Sequence, residues 1–251
     1  MRAIGELGPQ RTTPDPTESL DTALSPRSAH PGYVARTEDV VLGEKLPPRF
    51  IDRCRQAYLM IPHDPLSGPR QIGVTSALYG EGKTAIAIGI ATAIAADTRE
   101  PTVLLECDLE RASFDRHFGF TRSPGLSEWL DGESRLRVLR AAPLPNLFVI
   151  PAGAAPLDPA RVFYQLSDSG LIAELRPRFA NIVIDLPPVL DIAYGSLASK
   201  LAERIVLVAK YGVTLVDDLE KVSFLLGRER LSGIVLNATE YRTPGWLRRL
   251  L

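Results

Sequence analysis

The chain has 251 residues, 45% of them hydrophobic and 24% charged, so it can bury one sizeable core in a domain of about 200 residues. Its 29 basic and 30 acidic side chains give a net charge of −1, which excludes an overall positive field able to hold nucleic acid or an anionic membrane. The two cysteines are too few for a disulfide framework, and Cys107, inside an apolar run, fits a small buried thiol. This composition fits a reducing cytoplasm.

The first 48 residues are rich in Pro, Ser and Thr and lack both an apolar period and the apolar core of a signal peptide. We expect residues 1–48 to be a disordered arm, residues 49–240 a folded domain, and residues 241–251 a short tail. The longest uncharged stretch, residues 85–96, is well short of the roughly 20 residues that cross a bilayer. No membrane span is therefore expected.

The elements of the folded domain alternate between helices and strands. Residues 50–61 have the spacing of one amphipathic helix, placed on the surface or in an interface and ended by Pro62 and Pro65. From Gln71 onward, short and nearly continuous apolar runs alternate with helical stretches, which is typical of strands buried on both faces. The sequence predicts an α/β fold with a doubly wound, mostly parallel sheet flanked by helices. The predicted strands are residues 71–76, 102–107, 147–151, 181–185, 204–210 and 233–237.

A glycine-rich loop joins the first strand to the following helix. A phosphate chain needs inward-facing backbone N–H groups, a helix N-terminus and a point cation. Here Gly80 and Gly82 allow close backbone approach, Lys83 reaches the β and γ phosphates, and the Thr84 hydroxyl ligates magnesium. This Walker A spacing between a strand and a helix predicts a P-loop for a nucleoside triphosphate with Mg²⁺. The predicted nucleotide-binding residues of the loop are Gly80, Glu81, Gly82, Lys83, Thr84 and Ala85.

The same residues also satisfy the dinucleotide pattern G-x-G-x-x-A, with Glu106 at about the separation of a ribose contact. In a dinucleotide fold the first glycine follows the strand closely, whereas residues 77–79 intervene here. The Lys-Thr pair directly after the second glycine also suits triphosphate chemistry. The triphosphate interpretation is therefore favoured.

Acidic side chains mark the ends of two predicted strands. Glu106 and Asp108 lie two positions apart and so project to one side, where they could hold magnesium or orient a nucleophile. Asp185 ends a hydrophobic strand as a Walker B acid does, and would hold a metal-bound water near the γ phosphate. A solvated acidic turn or a capping aspartate is the structural alternative. The predicted catalytic residues are Lys83, Glu106, Asp108 and Asp185, and the predicted metal ligands are Thr84, Asp108 and Asp185.

Asn237 closes the last predicted strand, and its amide offers the donor and acceptor that an adenine edge requires. A turn residue is the alternative interpretation. The three histidines, by contrast, show no ligand-like spacing, and a metal-free surface role is expected for His30, His63 and His117.

The motifs and their order resemble the bacterial tyrosine kinases, the cytoplasmic ATPase component of the polysaccharide co-polymerases that control capsule and exopolysaccharide assembly. The resemblance covers about residues 50–240. It rests on residues 74–84, 103–113, 118–119, 124–127, 150–153, 184–190 and 233–237.

The resemblance implies ATP and Mg²⁺ as cofactors, a phosphate loop at residues 80–84, paired acids at Glu106 and Asp108, a Walker B acid at Asp185 and an adenine contact at Asn237. It also implies homo-oligomers and an inner-membrane chain-length-determinant co-polymerase as partner. The protein would then be cytoplasmic and peripheral to the inner membrane, regulating export of an exopolysaccharide, capsule or holdfast.

Three positions depart from the family pattern, which has proline where this chain has Tyr79, threonine for Leu186 and aspartate for Glu106. The tail carries a single tyrosine, Tyr241, instead of a tyrosine cluster. Two alternatives therefore stay open: a catalytically impaired, nucleotide-gated scaffold, and a positioning ATPase of the related MinD and ParA group. Members of the latter carry an extra lysine where this chain has Leu78.

Overall fold

The computed structural model of the protein describes residues 46–132 and 138–238. The predicted arm, apart from its last three residues, and the predicted tail lie outside these ranges. The limits set above for the arm, the domain and the tail therefore stay predictions.

Seven strands form one sheet in the order β3-β4-β2-β5-β1-β6-β7. Every neighbouring pair is parallel except β3 and β4, which are antiparallel. The predicted α/β fold with a mostly parallel sheet is confirmed. The strands are β1 (Arg70–Ser76), β2 (Thr102–Glu106), β3 (Arg140–Ala141), β4 (Leu147–Ile150), β5 (Asn181–Asp185), β6 (Arg204–Lys210) and β7 (Leu231–Asn237).

Helices cover both faces of the sheet, as a doubly wound fold requires. One buried cluster joins α1, α2 and α3 to one face, and a second joins α4 to α8 to the other. The helices are α1 (Pro48–Leu59), α2 (Lys83–Thr98), α3 (Phe114–Phe118), α4 (Leu126–Leu130), α5 (Pro159–Asp168), α6 (Leu171–Leu175), α7 (Gly195–Ala198) and α8 (Val216–Leu226), with 3₁₀ turns at Pro65–Ser67, Ser199–Leu201 and Arg228–Arg230. Among the described residues, no helix is both long and apolar enough to span a bilayer.

Helix α1 packs along α2. The side chain of Asp97 in α2 accepts hydrogen bonds from Arg55 Nε (2.7 Å) and from the Tyr58 hydroxyl (2.7 Å). Gly89 of α2 leaves room for α1, because a methyl group there would collide with Cys54 Sγ. The helix was expected at 50–61 but begins two residues earlier, since a proline at the first helical position costs no hydrogen bond.

All six predicted strands are present, and their ends differ from the prediction by at most two residues. The two-residue strand β3 was missed, because so short an antiparallel edge has no apolar alternation to reveal it. Cys107 is fully buried, as expected, and Cys54 is buried against α2.

Candidate functional site

The glycine-rich loop turns the chain from the end of β1 into α2. Gly80 and Gly82 have φ angles of +80° and +94°, in the left-handed region that a side chain disfavours. A methyl group on Gly82 would also collide with the amide nitrogen of Asn237. Helix α2 begins at Lys83, and Ala85 lies in its first turn. The N-terminus of α2 is thus placed where a phosphate group could accept from its free N–H groups.

Four of the predicted site residues meet at the carboxyl edge of the sheet. The ammonium of Lys83 lies 2.7 Å from Asp108 Oδ2 and 3.6 Å from Asp185 Oδ1. The Thr84 hydroxyl donates to Asp185 Oδ2 at 2.8 Å. This convergence follows from the topology, because β5 lies between β1 and β2 and brings Asp185 level with Glu106.

Burial and charge act against each other in this cluster. Burial lowers the pKa of Lys83, but the carboxylates of Asp185 and Asp108 outweigh that effect and hold the pKa above its usual value. Burial raises the pKa of Asp185 to about 6, against the opposing attraction of Lys83. At neutral pH the Lys83 ammonium is therefore charged and the Asp185 carboxylate is ionised.

The donor set fits a magnesium nucleotide. Asp185 Oδ1 is buried and has no hydrogen-bond partner within the part of the chain that the structure describes, the nearest cation being the Lys83 ammonium at 3.6 Å, although a buried carboxylate oxygen normally has one. A magnesium ion or one of its water ligands would satisfy it, with the Thr84 hydroxyl as a neighbouring oxygen ligand. The ammonium of Lys83 would then exchange its aspartate partners for phosphate oxygens.

Glu106 has different partners from those expected. Its carboxylate is fully buried and accepts from three backbone amides, those of Ser113, Phe114 (2.7 Å) and Ala152 (3.0 Å). Burial raises its pKa, and these amides oppose the rise. Both carboxylate oxygens hold two loops together, which is a structural role, and the expected role of orienting a nucleophile stays a prediction. The other acid of the predicted pair, Asp108, accepts at its Oδ1 from the amide of Arg111 (3.1 Å).

Glu81 and Asn237 brace the P-loop from its own side. The Glu81 carboxylate accepts from the Leu78 amide (2.9 Å) and from the Thr214 hydroxyl. The Asn237 amide donates to the Glu81 carbonyl at 2.9 Å. Asn237 therefore lies against the loop, and its contact with an adenine stays a prediction.

The structure also places residues at the loop that the sequence did not single out. Asp191 Oδ2 accepts from the Tyr79 amide at 2.6 Å, and the guanidinium of Arg111 lies 3.6 Å from the centre of the Tyr79 ring. Neither contact belongs to a local motif, because Asp191 is 112 positions away from its partner. Asp191 and Arg111 together hold Tyr79 in place at the start of the P-loop.

Comparison with known proteins gives one consistent group of relatives. No family model matches the chain. The tyrosine-protein kinase Ptk of Acinetobacter johnsonii is 28% identical over 168 residues, which cover 66% of this chain and 23% of that protein. The tyrosine-protein kinase CpsD of Streptococcus pneumoniae is 28% identical over 195 residues, 75% of this chain and 86% of CpsD. The chain is a homologue of the bacterial tyrosine kinases.

Solved structures give the same result for the fold. The VpsO kinase domain is 26% identical, with a TM-score of 0.67 over 76% of this chain and 97% of that domain. MinD of Pyrococcus horikoshii, solved with Mg-ADP, has a TM-score of 0.57 at 21% identity, over 72% of this chain and 76% of MinD. The chain spans about a quarter of the length of the first curated relatives it matches. Its fold is the one that the VpsO kinase domain and MinD have in common.

Proposed function

We propose that this protein is a cytoplasmic, ATP- and Mg²⁺-binding regulator of the tyrosine-kinase type that acts in bacterial exopolysaccharide, capsule or holdfast biosynthesis and export. Its partner would be an inner-membrane chain-length-determinant co-polymerase, which would hold it at the membrane. The observation that carries the nucleotide part is the meeting of Lys83, Thr84, Asp108 and Asp185 at the end of a P-loop. Homology to the bacterial tyrosine kinases supports the biological role.

Each residue of the cluster would have a separate task. Thr84 and Asp185 would hold the magnesium ion, which supplies charge neutralisation at the phosphates when bound. Lys83 would bind the β and γ phosphates as a point charge. Release of Lys83 would leave Asp108 as the carboxylate next to the γ phosphate, where it could accept a proton from a tyrosine hydroxyl or orient a water.

The nucleotide-gated scaffold remains a second candidate, and one observation favours it. Glu106 is fully used by backbone amides, which leaves one acid instead of two for proton transfer. Such a protein would bind Mg-ATP and change its contacts without transferring phosphate.

Calorimetric titration with Mg-ATP, followed by assays of ATP hydrolysis and phosphotyrosine, tests both candidates. The expected result is Mg-dependent binding that weakens at least about 100-fold in Lys83→Met, since the phosphate charge then lacks its cation. Because Lys83→Met leaves the buried carboxylates of Asp108 and Asp185 without their cation, Thr84→Ala serves as a second variant. Circular dichroism checks that both variants are folded. Turnover above the Lys83→Met level favours the kinase or ATPase, binding without turnover favours the scaffold, and no binding refutes both.

A further inference from the structure

Exposed apolar side chains are concentrated at the connection from β6 to α8. Tyr211, Val213, Leu215 and Val216 are between 55% and 69% exposed, and we call these four residues the β6–α8 patch. Phe224, on the outer side of α8, is 83% exposed. Exposed apolar side chains concentrated in one place in this way mark a site of interaction.

Acidic side chains border the patch. Asp217 and Glu220 are exposed in the first half of α8. Glu220 stands four positions after Val216 and four before Phe224, so the three side chains follow one side of the helix. A matching partner therefore needs apolar side chains interleaved with basic ones.

The last residues of this chain have that composition. Residues 239–251 include Trp246, Leu247, Leu250 and Leu251, and basic residues stand at positions 242, 248 and 249 against a single acid at position 240. The apolar positions recur at intervals of three and four, as on one face of a helix.

The segment also starts beside the patch. The carbonyl of Asn237, the last residue of β7, accepts from the amide of Tyr211 at 2.9 Å. Trp246 follows eight positions after Ala238, a distance of at most about 28 Å for an extended chain. Helix α8, with eleven residues, is about 16 Å long. The segment is thus long enough to lay Trp246 on any part of the patch.

We propose that residues 239–251 fold back onto the β6–α8 patch of the same chain. Trp246 and the leucines cover the apolar side chains, while Arg248 and Arg249 face Asp217 and Glu220. This interface goes beyond the proposed nucleotide function. The patch also adjoins the P-loop, since Thr214, which stands between Val213 and Leu215 in the chain, donates a hydrogen bond to the carboxylate of Glu81.

Quenching of tryptophan fluorescence by acrylamide tests the proposal on the full chain without nucleotide. The chain has two tryptophans, so Trp129→Phe leaves Trp246 as the single reporter. We expect its quenching constant to be at least about three-fold lower than in a synthetic peptide of residues 239–251. The double change Val213→Asp and Val216→Asp should raise it to the peptide value. Leu157→Asp is the matched control, because Leu157 is fully exposed but precedes α5, outside the patch.

Charge reversal gives a second measurement that does not alter the apolar side chains. Arg248→Glu with Arg249→Glu should increase quenching, and Asp217→Arg with Glu220→Arg in the same chain should reverse the increase.

The proposal is refuted if Trp246 in the full chain is quenched as readily as the peptide, or if the patch pair and the control have the same effect. Protection that needs anionic phosphatidylglycerol vesicles would assign the segment to a lipid surface instead. Protection that disappears on dilution would assign it to a second copy of the chain. None of these results depends on nucleotide binding, so the two proposals can fail separately.

Discussion

Replacing the carboxylate of Glu106 by an amide, in Glu106→Gln, tests its assignment as a structural residue. The side chain is fully buried and receives the amides of Ser113, Phe114 and Ala152. Gln has nearly the same shape but only one acceptor oxygen, so its NH₂ group must face at least one of these N–H groups.

The expected cost follows from these contacts. One buried amide left without an acceptor costs about 1–3 kcal/mol, and two hydrogen bonds that change from charged to neutral lose about 1 kcal/mol each. Removing a buried charge offsets part of this loss of stability, because burial disfavours the ionised carboxylate and raises the pKa of Glu106. We expect the free energy of unfolding to fall by about 2–4 kcal/mol.

Urea denaturation at pH 7, followed by circular dichroism, measures this change. Glu100→Gln is the control, since Glu100 is exposed and its substitution should stay within about 0.5 kcal/mol of the native protein. A Glu106→Gln protein as stable as this control, but impaired in phosphate transfer, would return Glu106 to the catalytic role that the sequence suggested.

Three further predictions follow from burial. Because burial raises the pKa of Asp185 to about 6, from 3.8 in an unfolded chain, the folded state keeps a proton that the unfolded state has lost. The free energy of unfolding should therefore fall as the pH rises from about 4 to about 6. In urea titrations, Asp185→Asn should remove about 1–3 kcal/mol of that fall. Gly89→Ala should cost about 1–3 kcal/mol in the same assay by pushing α1 off α2, and Cys54→Ala should restore part of it by removing the colliding sulfur. Burial raises the pKa of the Cys54 thiol to about 12 and raises that of Cys107, so neither should react with Ellman's reagent at pH 8 until the protein unfolds; rapid labelling of the native protein would contradict their burial.

The fold and the centre of the candidate site could be predicted because their signals are local. Buried parallel strands appear in a sequence as apolar runs, and a strand followed by Gly80-Glu81-Gly82-Lys83-Thr84 predicts a phosphate site within one continuous segment. Asp108 and Asp185 could be added because parallel strands end at the same edge of the sheet.

The remaining features depend on contacts between distant segments. Glu106 is two residues from Asp108 and equally acidic, and only the positions of the loops after β2 and β4 decide that it accepts backbone amides. The brace from Thr214 to Glu81 spans 133 positions, and no local pattern indicates it. Motif spacing thus indicated which side chains converge beside the glycine-rich loop, but not which of them already accept hydrogen bonds from the backbone.

The close packing of α1 on α2 connects the candidate site to the N-terminal side of the domain. Gly89 seats α1 at van der Waals distance, and Asp97 binds it from the far end of the same helix that starts at Lys83. A movement of α1 would therefore be passed to α2, the helix whose first residue is Lys83 of the candidate site. A protein that binds at α1 could thus respond to nucleotide binding at the candidate site, or change it, without contacting that site.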